Sequence, residues 1–138
     1  MLMPKKTKYR KQMRGTIKGI STRGNSVDFG EYGLKAMSKG FLSSRQLEAA
    51  RKAIAHHTKR GGRLWIRVFP SKPIVKKPNE TRMGSGKAPV DHYAAVILPG
   101  RIILEVGGLP KSTAFDALRK ASHKFPIRTR IVWDTENA

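Results

Sequence analysis

Positive charge is the feature that most limits how this chain can fold and what it can associate with. Its 138 residues include 29 Lys and Arg against 9 Asp and Glu, a formal net charge of +20. In a compact monomer so many like charges repel one another, and a polyanion relieves that repulsion. The composition therefore predicts a nucleic-acid partner, with an anionic membrane surface as the competing polyanion.

Length and the lack of cysteine narrow the class of protein further. A chain of this length predicts one domain, and without cysteine it has no disulfide framework and no thiolate metal site. The longest apolar run, residues 93–98, is far shorter than the roughly 18 residues that a spanning helix needs. We therefore expect no membrane partner, no metal site and no cofactor.

Residues 1–25 are predicted to form a basic extended arm ahead of a single α+β domain at 26–138. No acidic residue precedes Asp28. Like charges keep such a segment extended or irregular until a polyanion neutralises them, although a solubilising tail would have the same composition. The arm cations that we expect to bind phosphates are Lys5, Lys6, Lys8, Arg10, Lys11 and Arg14.

The first helix is marked by a capping box, with Ser43 as the N-cap and Gln46 three residues on. Apolar residues at helical spacing predict its buried face: Leu47, Ala50 and Ile54. Gly61-Gly62 is predicted to end it. Its cations lie on other faces, and few acids accompany them along the helix, which favours phosphate contact over a solvated face: Arg45, Arg51, Lys52, Lys59 and Arg60.

Residues 63–69 alternate strictly and predict a strand. Leu64, Ile66 and Val68 would face the core. The opposite face would carry two arginines alternating with two aromatic residues, which suits base stacking and phosphate binding: Arg63, Trp65, Arg67 and Phe69. Packing of those rings beneath a second layer of the protein is an equally good interpretation.

Further strands are predicted at 26–29, 32–37 and 128–133, with a short edge strand at 74–76. Pro99-Gly100 is typical of a type II turn, so residues 93–98 and 101–106 are predicted to form a hairpin. A second helix is expected at 111–124, ended by Pro126. Its predicted buried stripe is Phe115, Leu118, Ser122 and Phe125.

This order of elements predicts an α+β fold: a mainly antiparallel sheet with two helices packed on it, a basic N-terminal arm and a long glycine-containing loop. That loop, residues 78–91, exceeds the roughly 12 residues above which a loop is usually functional or disordered. Its glycines let the backbone lie close to phosphates. The residues expected to do so are Arg82, Met83, Gly84, Ser85, Gly86 and Lys87.

Gly86-Lys87 does not complete a P-loop. Thr81 and Ala88 occupy the positions where that motif needs glycine and then Ser or Thr. No nucleophile, paired carboxylates or metal-binding motif is evident elsewhere in the sequence. We therefore expect neither an enzyme nor a small-molecule substrate.

Several segments, in order and over nearly the whole chain, resemble the large-ribosomal-subunit proteins of the L-sixteen family, the bacterial and organellar type. They are residues 4–11 (PKKTKYRK), 29–35 (FGEYGLK), 44–51 (SRQLEAAR), 65–70 (WIRVFP), 72–74 (KPI) and 82–87 (RMGSGK), followed by the turn at Pro99-Gly100. The chain departs from the family at Ala88-Pro89, where a glycine usually follows the lysine.

The resemblance implies a cytoplasmic or organellar ribosomal protein whose partners are large-subunit rRNA, tRNA and neighbouring ribosomal proteins. It implies that Arg82 to Lys87 approach tRNA near the aminoacyl site and the peptidyl transferase region, where RNA performs the chemistry. The alternative is a free-standing basic RNA- or DNA-binding protein or RNA chaperone, bound by charge alone.

Overall fold

The computed structural model describes residues 2–6, 12, 15–75 and 90–133, which form seven strands and two helices. In chain order these are β1 (Tyr32–Ala36), β2 (Gly40–Ser43), α1 (Ser44–His57), β3 (Arg63–Ile66), β4 (Lys72–Val75), β5 (Val90–Ile97), β6 (Ile102–Gly107), α2 (Lys111–Ser122) and β7 (Thr129–Trp133). One core joins them, since fully buried side chains come from both helices and from strands across the fold, including Leu34, Leu42, Leu47, Ile97, Leu104 and Leu118.

The strands form two antiparallel sheets, one of four strands in the order β3-β6-β1-β7 and one of three in the order β2-β5-β4. Helix α1 packs against α2, β2 and β5, while α2 also contacts β1 and β7. The α+β class with antiparallel pairing is confirmed, and the strands are divided between two sheets. The predicted edge strand is also confirmed, because β4 lies at the edge of the three-stranded sheet.

The hairpin predicted around Pro99-Gly100 is wrong, although the turn itself is present. The Arg101 N–H donates to the Leu98 carbonyl at 3.2 Å, and Gly100 has a φ of +96°, as the third position of a type II turn requires. Strand β5 pairs with β2 and β4, whereas β6 pairs with β1 and β3. Both edges of each strand are therefore occupied, and the turn carries the chain from one sheet to the other.

Helix α1 matches its sequence pattern. The Gln46 N–H donates to Ser43 Oγ at 3.1 Å, and the Ser43 N–H donates to Gln46 Oε1 at 3.0 Å, which completes the capping box. Leu47, Ala50 and Ile54 are buried as expected. The helix ends at His57, before the glycine pair that was predicted to end it.

Helix α2 buries only part of the predicted stripe. Leu118 is buried as expected, and so is Phe125 just beyond the helix, but Ala114, Ala117 and Ala121 are buried in place of Phe115 and Ser122. Small residues allow α1 and α2 to approach closely, which a search for large apolar residues at helical spacing overlooks. Phe115 lies at the margin instead, with its ring centroid 5.6 Å from that of Tyr32 and 5.8 Å from that of Trp133. The helix also ends four residues before Pro126.

The strand predicted at 26–29 is absent, because a buried carboxylate on β6 takes the backbone donors of this segment. Oε1 of Glu105 accepts the N–H groups of Asp28, Phe29 and Gly30 at 2.9, 3.0 and 3.1 Å. Its Oε2 accepts a hydrogen bond from Arg67 Nη1 at 2.6 Å. The Glu105 side chain is fully buried, so its charge is balanced entirely by these donors.

We expect Glu105→Gln to lower the free energy of unfolding by about 3–5 kcal/mol, since it leaves the Arg67 charge without its buried partner. Urea denaturation of the free protein measures this. The control is Glu31→Gln, an exposed carboxylate that accepts one N–H from Gly108 at 3.2 Å, and we expect it to cost less than about 1 kcal/mol. Equal effects of the two substitutions would contradict the structural role of Glu105.

Candidate nucleic-acid interface

The C-terminal end of α1 closes in a Schellman motif that contains no glycine. The Arg60 N–H donates to the Ala55 carbonyl at 2.9 Å, and the Lys59 N–H donates to the His56 carbonyl at 3.4 Å. Lys59 and Arg60 have φ values of +54° and +63°, the left-handed region that usually takes glycine. Each such residue costs about 1 kcal/mol of backbone strain. Two glycines, which adopt this conformation without strain, come immediately after them in the chain as Gly61 and Gly62.

This turn presents the cations that we call the α1-end cluster: Lys59, Arg60 and Arg63. All three are exposed, and none forms an ion pair with another residue that the structure describes. The carbonyl groups of Ile54, Ala55 and His56 accept bonds from the turn, so the negative end of the helix is largely capped. The cluster is thus an exposed source of positive charge without an internal partner in the described ranges.

The other predicted cations of α1 have different settings. Arg45 and Lys52 are exposed and free of ion pairs to described residues, as expected of phosphate-binding side chains. Arg51 hydrogen-bonds through Nε and Nη2 to Oε1 of Glu48, three residues earlier. The prediction overlooked Glu48, which is three residues before Arg51 and four before Lys52. The hydrogen bond from Arg51 lowers the pKa of Glu48 below its usual value, and the same bond raises the pKa of Arg51.

Arg67 lies on the predicted face of its strand but is turned into the protein. Its side chain is only 12% exposed, and besides Glu105 it contacts the Asp28 carboxylate at 3.3 Å and the Ser26 carbonyl at 2.9 Å. Its guanidinium carbon also lies 4.9 Å from the ring centroid of Phe29. These contacts give Arg67 a structural function. They hold residues 26–30 over the strand face that was predicted to carry Arg67 and the aromatic rings.

The two aromatic residues of this face differ. Trp65 packs against Gly30 and Gly107 and stacks on Phe29, with centroids 6.4 Å apart. Packing is therefore the better interpretation of Trp65, whereas Phe69 is 48% exposed. Phe29, which sequence reasoning did not select, is more exposed still at 61%. In the sequence, Phe29 is marked as a candidate only by its position beside a glycine in a basic chain.

Lys5 and Lys6 of the predicted arm are exposed, whereas Lys8, Arg10, Lys11 and Arg14 lie outside the described residues. Nearer the domain, the Ser21 N–H donates to the Pro99 carbonyl at 2.9 Å, and the Ile102 N–H donates to the Gly24 carbonyl at 2.7 Å. The chain therefore enters the domain beside the turn at Pro99-Gly100. The division at residue 25 stays a prediction.

The predicted loop residues 82–87 lie outside the described part of the chain, but the structure fixes where their segment starts and returns. Strands β4 and β5 are antiparallel partners, and Val75 is paired with Val90. Residues 76–89 therefore connect two neighbouring positions at one end of the three-stranded sheet. The α1-end cluster, by contrast, adjoins β3, a strand of the other sheet.

Within the described residues, no group of three or more His, Cys, Asp or Glu side chains could hold a metal ion. Among these same residues no helix has the length and apolar character needed to cross a bilayer. The exposed guanidinium and ammonium groups of the described surface can bind phosphates and carboxylates.

Glycine should relieve the strain at the end of α1. We expect Lys59→Gly to raise the free energy of unfolding by about 1 kcal/mol, and Lys59→Ala to leave it nearly unchanged, because alanine has the same left-handed penalty as lysine. Urea denaturation of the free protein provides the measurement. Lys52→Gly, inside the same helix, should lower stability by about 1 kcal/mol. If Lys59→Gly destabilises as Lys52→Gly does, the left-handed geometry at residue 59 is wrong.

Comparison with known proteins places this chain in a family. The family described as "Ribosomal protein L16p/L10e" matches residues 4–132. The chain is 55% identical over 136 residues to "Large ribosomal subunit protein uL16" of Sulfurihydrogenibium sp. (strain YO3AOP1), with 99% of both chains covered. It is 53% identical over 132 residues to "Large ribosomal subunit protein uL16c" of Physcomitrium patens, with 96% of each covered. The resemblance predicted from the motifs is confirmed: the chain belongs to the ribosomal protein L16p/L10e family, and it is a structural constituent of the large ribosomal subunit rather than an enzyme.

Proposed function

We propose that this chain holds large-subunit rRNA through two basic regions, the N-terminal arm and the α1-end cluster, and that residues 82–87 contact tRNA near the aminoacyl site. The observation that carries the first part is the unbalanced charge of Lys59, Arg60 and Arg63. These three cations lie within five residues between the end of α1 and the start of β3, are exposed, and form no ion pair within the described ranges. Closely spaced phosphates of folded RNA are the counter-charge that such a cluster fits.

The two basic regions act differently on RNA. Arg60 and Arg63 project from a turn whose backbone is held by hydrogen bonds to α1 and by the pairing of β3 with β6, so their starting positions are fixed. Fixed guanidinium groups select a particular arrangement of phosphates. The arm cations belong to a segment of uniform charge that can follow the RNA surface. The cluster therefore orients the domain, and the arm adds affinity.

The proposed tRNA contact rests on the loop that joins β4 and β5. Both of its ends belong to one sheet, with Val75 opposite Val90. A basic, glycine-containing segment fixed at both ends can place Arg82 and Lys87 beside a second RNA while the domain stays bound to the first. The resemblance to the L-sixteen family supports tRNA as that second RNA.

Removing the charges of the cluster should weaken rRNA binding specifically. We expect Lys59→Gln/Arg60→Gln/Arg63→Gln to reduce affinity for a large-subunit rRNA transcript at least tenfold at physiological salt. The slope of log affinity against log salt should fall by roughly 2–3, at about 0.7–0.9 per lost phosphate contact. Filter binding across a salt series measures both quantities.

The matched control is Lys124→Gln/Arg128→Gln/Arg130→Gln, which removes one lysine and two arginines that are likewise exposed. We expect it to keep affinity within about threefold. Equal losses in the two variants would show that bulk charge, not the cluster, drives binding.

Sedimentation after a high-salt wash tests the wider proposal, because a protein embedded in rRNA stays with the large subunit while a free-standing RNA-binding protein is released.

The loop proposal predicts a separate effect. We expect Arg82→Ala/Lys87→Ala to join the large subunit normally while tRNA affinity or the rate of peptide transfer falls. Lys76→Ala/Lys77→Ala removes the same number of charges from outside residues 82–87 and should leave both quantities unchanged. Particles purified with each variant allow incorporation and tRNA binding to be measured separately. Wild-type tRNA affinity and peptide transfer in the first variant would overturn the loop's assignment.

A further inference from the structure

A cavity of about 270 Å³ opens where the end of α1 meets β3, the edge strand of the four-stranded sheet. Its walls are largely apolar, with Ile54, Leu64, Ile66 and Leu109 among them. Three arginines are also among its lining residues, Arg51, Arg60 and Arg63. None of its described lining residues is acidic. The cavity thus places an apolar hollow beside several positive charges.

We propose that this cavity receives one unstacked nucleobase of the rRNA, with the arginines binding the phosphates on either side of it. This inference rests on the proposed function and adds to it a specific subsite for a base. The flat faces of a nucleobase pack well on aliphatic side chains and on guanidinium planes, while the adjoining backbone requires positive charge. The cavity supplies both.

Its size suits a single base. The volume lies just below the roughly 300 Å³ at which pockets for drug-sized molecules begin. The wall formed by Gly61 and Gly62 is held close to the sheet, because a Cβ on Gly62 would lie 2.7 Å from both the Gly107 carbonyl oxygen and Leu109 Cγ. Gly62 also has a φ of +71°. Close backbone packing at Gly62 therefore fixes one wall of the cavity, and side chains that include the three arginines form the rest.

The strain at the end of α1 supports a binding function. Glycine at residue 59 or 60 would complete the same Schellman turn without the left-handed penalty. The chain instead carries cations at both positions, and Arg60 lines the cavity. Strain of this kind persists where the side chain does something that glycine cannot do.

Charge decides between a nucleobase and a side chain from a neighbouring protein as the occupant. Arg51 already contacts Glu48, but Arg60 and Arg63 have no acidic partner among the described residues. An apolar protein side chain would fill the hollow and leave both arginines unneutralised. A nucleotide fills the hollow with its base and neutralises the arginines with its phosphates.

The first test uses the full wild-type chain and two small probes, adenosine 5′-monophosphate and ribose 5-phosphate, titrated by NMR. We expect the monophosphate nucleotide to shift the amide signals of Thr58, Gly61, Gly62 and Leu64, with a Kd near the millimolar range and at least tenfold tighter than that of ribose 5-phosphate. Equal binding of the two probes would show that only charge is recognised and would overturn the proposal. Shifts confined to other parts of the chain would also overturn it.

The second test fills the cavity without changing charge. Ala55 lines the cavity, whereas Ala53 is on the same helix, is also partly exposed, and does not line it. We expect Ala55→Leu to weaken nucleotide binding at least tenfold, and Ala53→Leu to leave it within twofold. Thermal unfolding of both variants checks that each is folded, and the wild-type titration decides the question if Ala55→Leu is not.

The same pair of variants separates this proposal from the proposed function. In large subunits assembled with Ala55→Leu, we expect normal recovery after a salt wash and at least one rRNA base that becomes newly reactive to chemical probes. Ala53→Leu should give the wild-type reactivity. Normal recovery with identical reactivity in both variants would overturn the nucleobase site and leave rRNA binding intact. Failure of the wild-type chain itself to remain with the subunit would overturn the proposed function.

Discussion

The buried carboxylate of Glu105 is the constraint on which the rest of this structure depends. Strand β6 lies between β1 and β3, so a charge on its outer face cannot reach water unless that face is left open. Three backbone N–H groups from residues 28–30 and the Arg67 guanidinium neutralise it instead. A buried charge with fewer donors would be strongly destabilising. The segment before β1 is therefore fixed across the sheet.

That closure also determines where the N-terminal region joins the domain. Arg101 donates to the Arg67 carbonyl at 2.8 Å and to the Arg23 carbonyl at 3.2 Å, linking the covered face to the preceding segment. The basic arm thus enters beside the turn between β5 and β6. The segment at 76–89 leads into the start of β5, whereas the arm enters beside the turn that follows β5. The fold therefore separates the arm from the loop and can present them to different parts of an RNA assembly.

Local patterns predicted the fold well wherever the determining contacts are close in sequence. The capping box and apolar stripe of α1 gave its start and its buried face, and Pro99-Gly100 gave the turn. Contacts between distant residues could not be predicted in this way. Residues 26–29 have a strand-like composition, yet a carboxylate more than 70 positions away takes their donors. The Pro99-Gly100 motif likewise predicts a turn, but it does not show whether the flanking strands pair with each other or belong to separate sheets.

The same distinction applies to the candidate site. Charge and spacing selected Lys59, Arg60 and Arg63, whose exposure depends on a local turn. Alternation assigned Arg67 to the correct face, but no pattern shows that residues 26–30 cover that face. The cavity could not be predicted either, because Leu109 reaches it through the packing of Gly62 against the Gly107 region, 45 residues away in sequence. Its arginines were evident in the sequence, and its apolar walls were not.

The placement of the few acidic residues explains how a chain of charge +20 can fold and still bind a polyanion. Each acid in the described ranges has a partner within the chain: Asp28 and Glu105 with Arg67, Glu48 with Arg51, Asp116 with Arg119, Asp91 with His92, and Glu31 with the Gly108 N–H. None of these pairs involves the α1-end cluster. Acidic groups therefore stabilise local structure, and they leave the turn at the end of α1 uncompensated. Under the proposed function, rRNA phosphates relieve the repulsion within that cluster at the same turn that carries the left-handed strain.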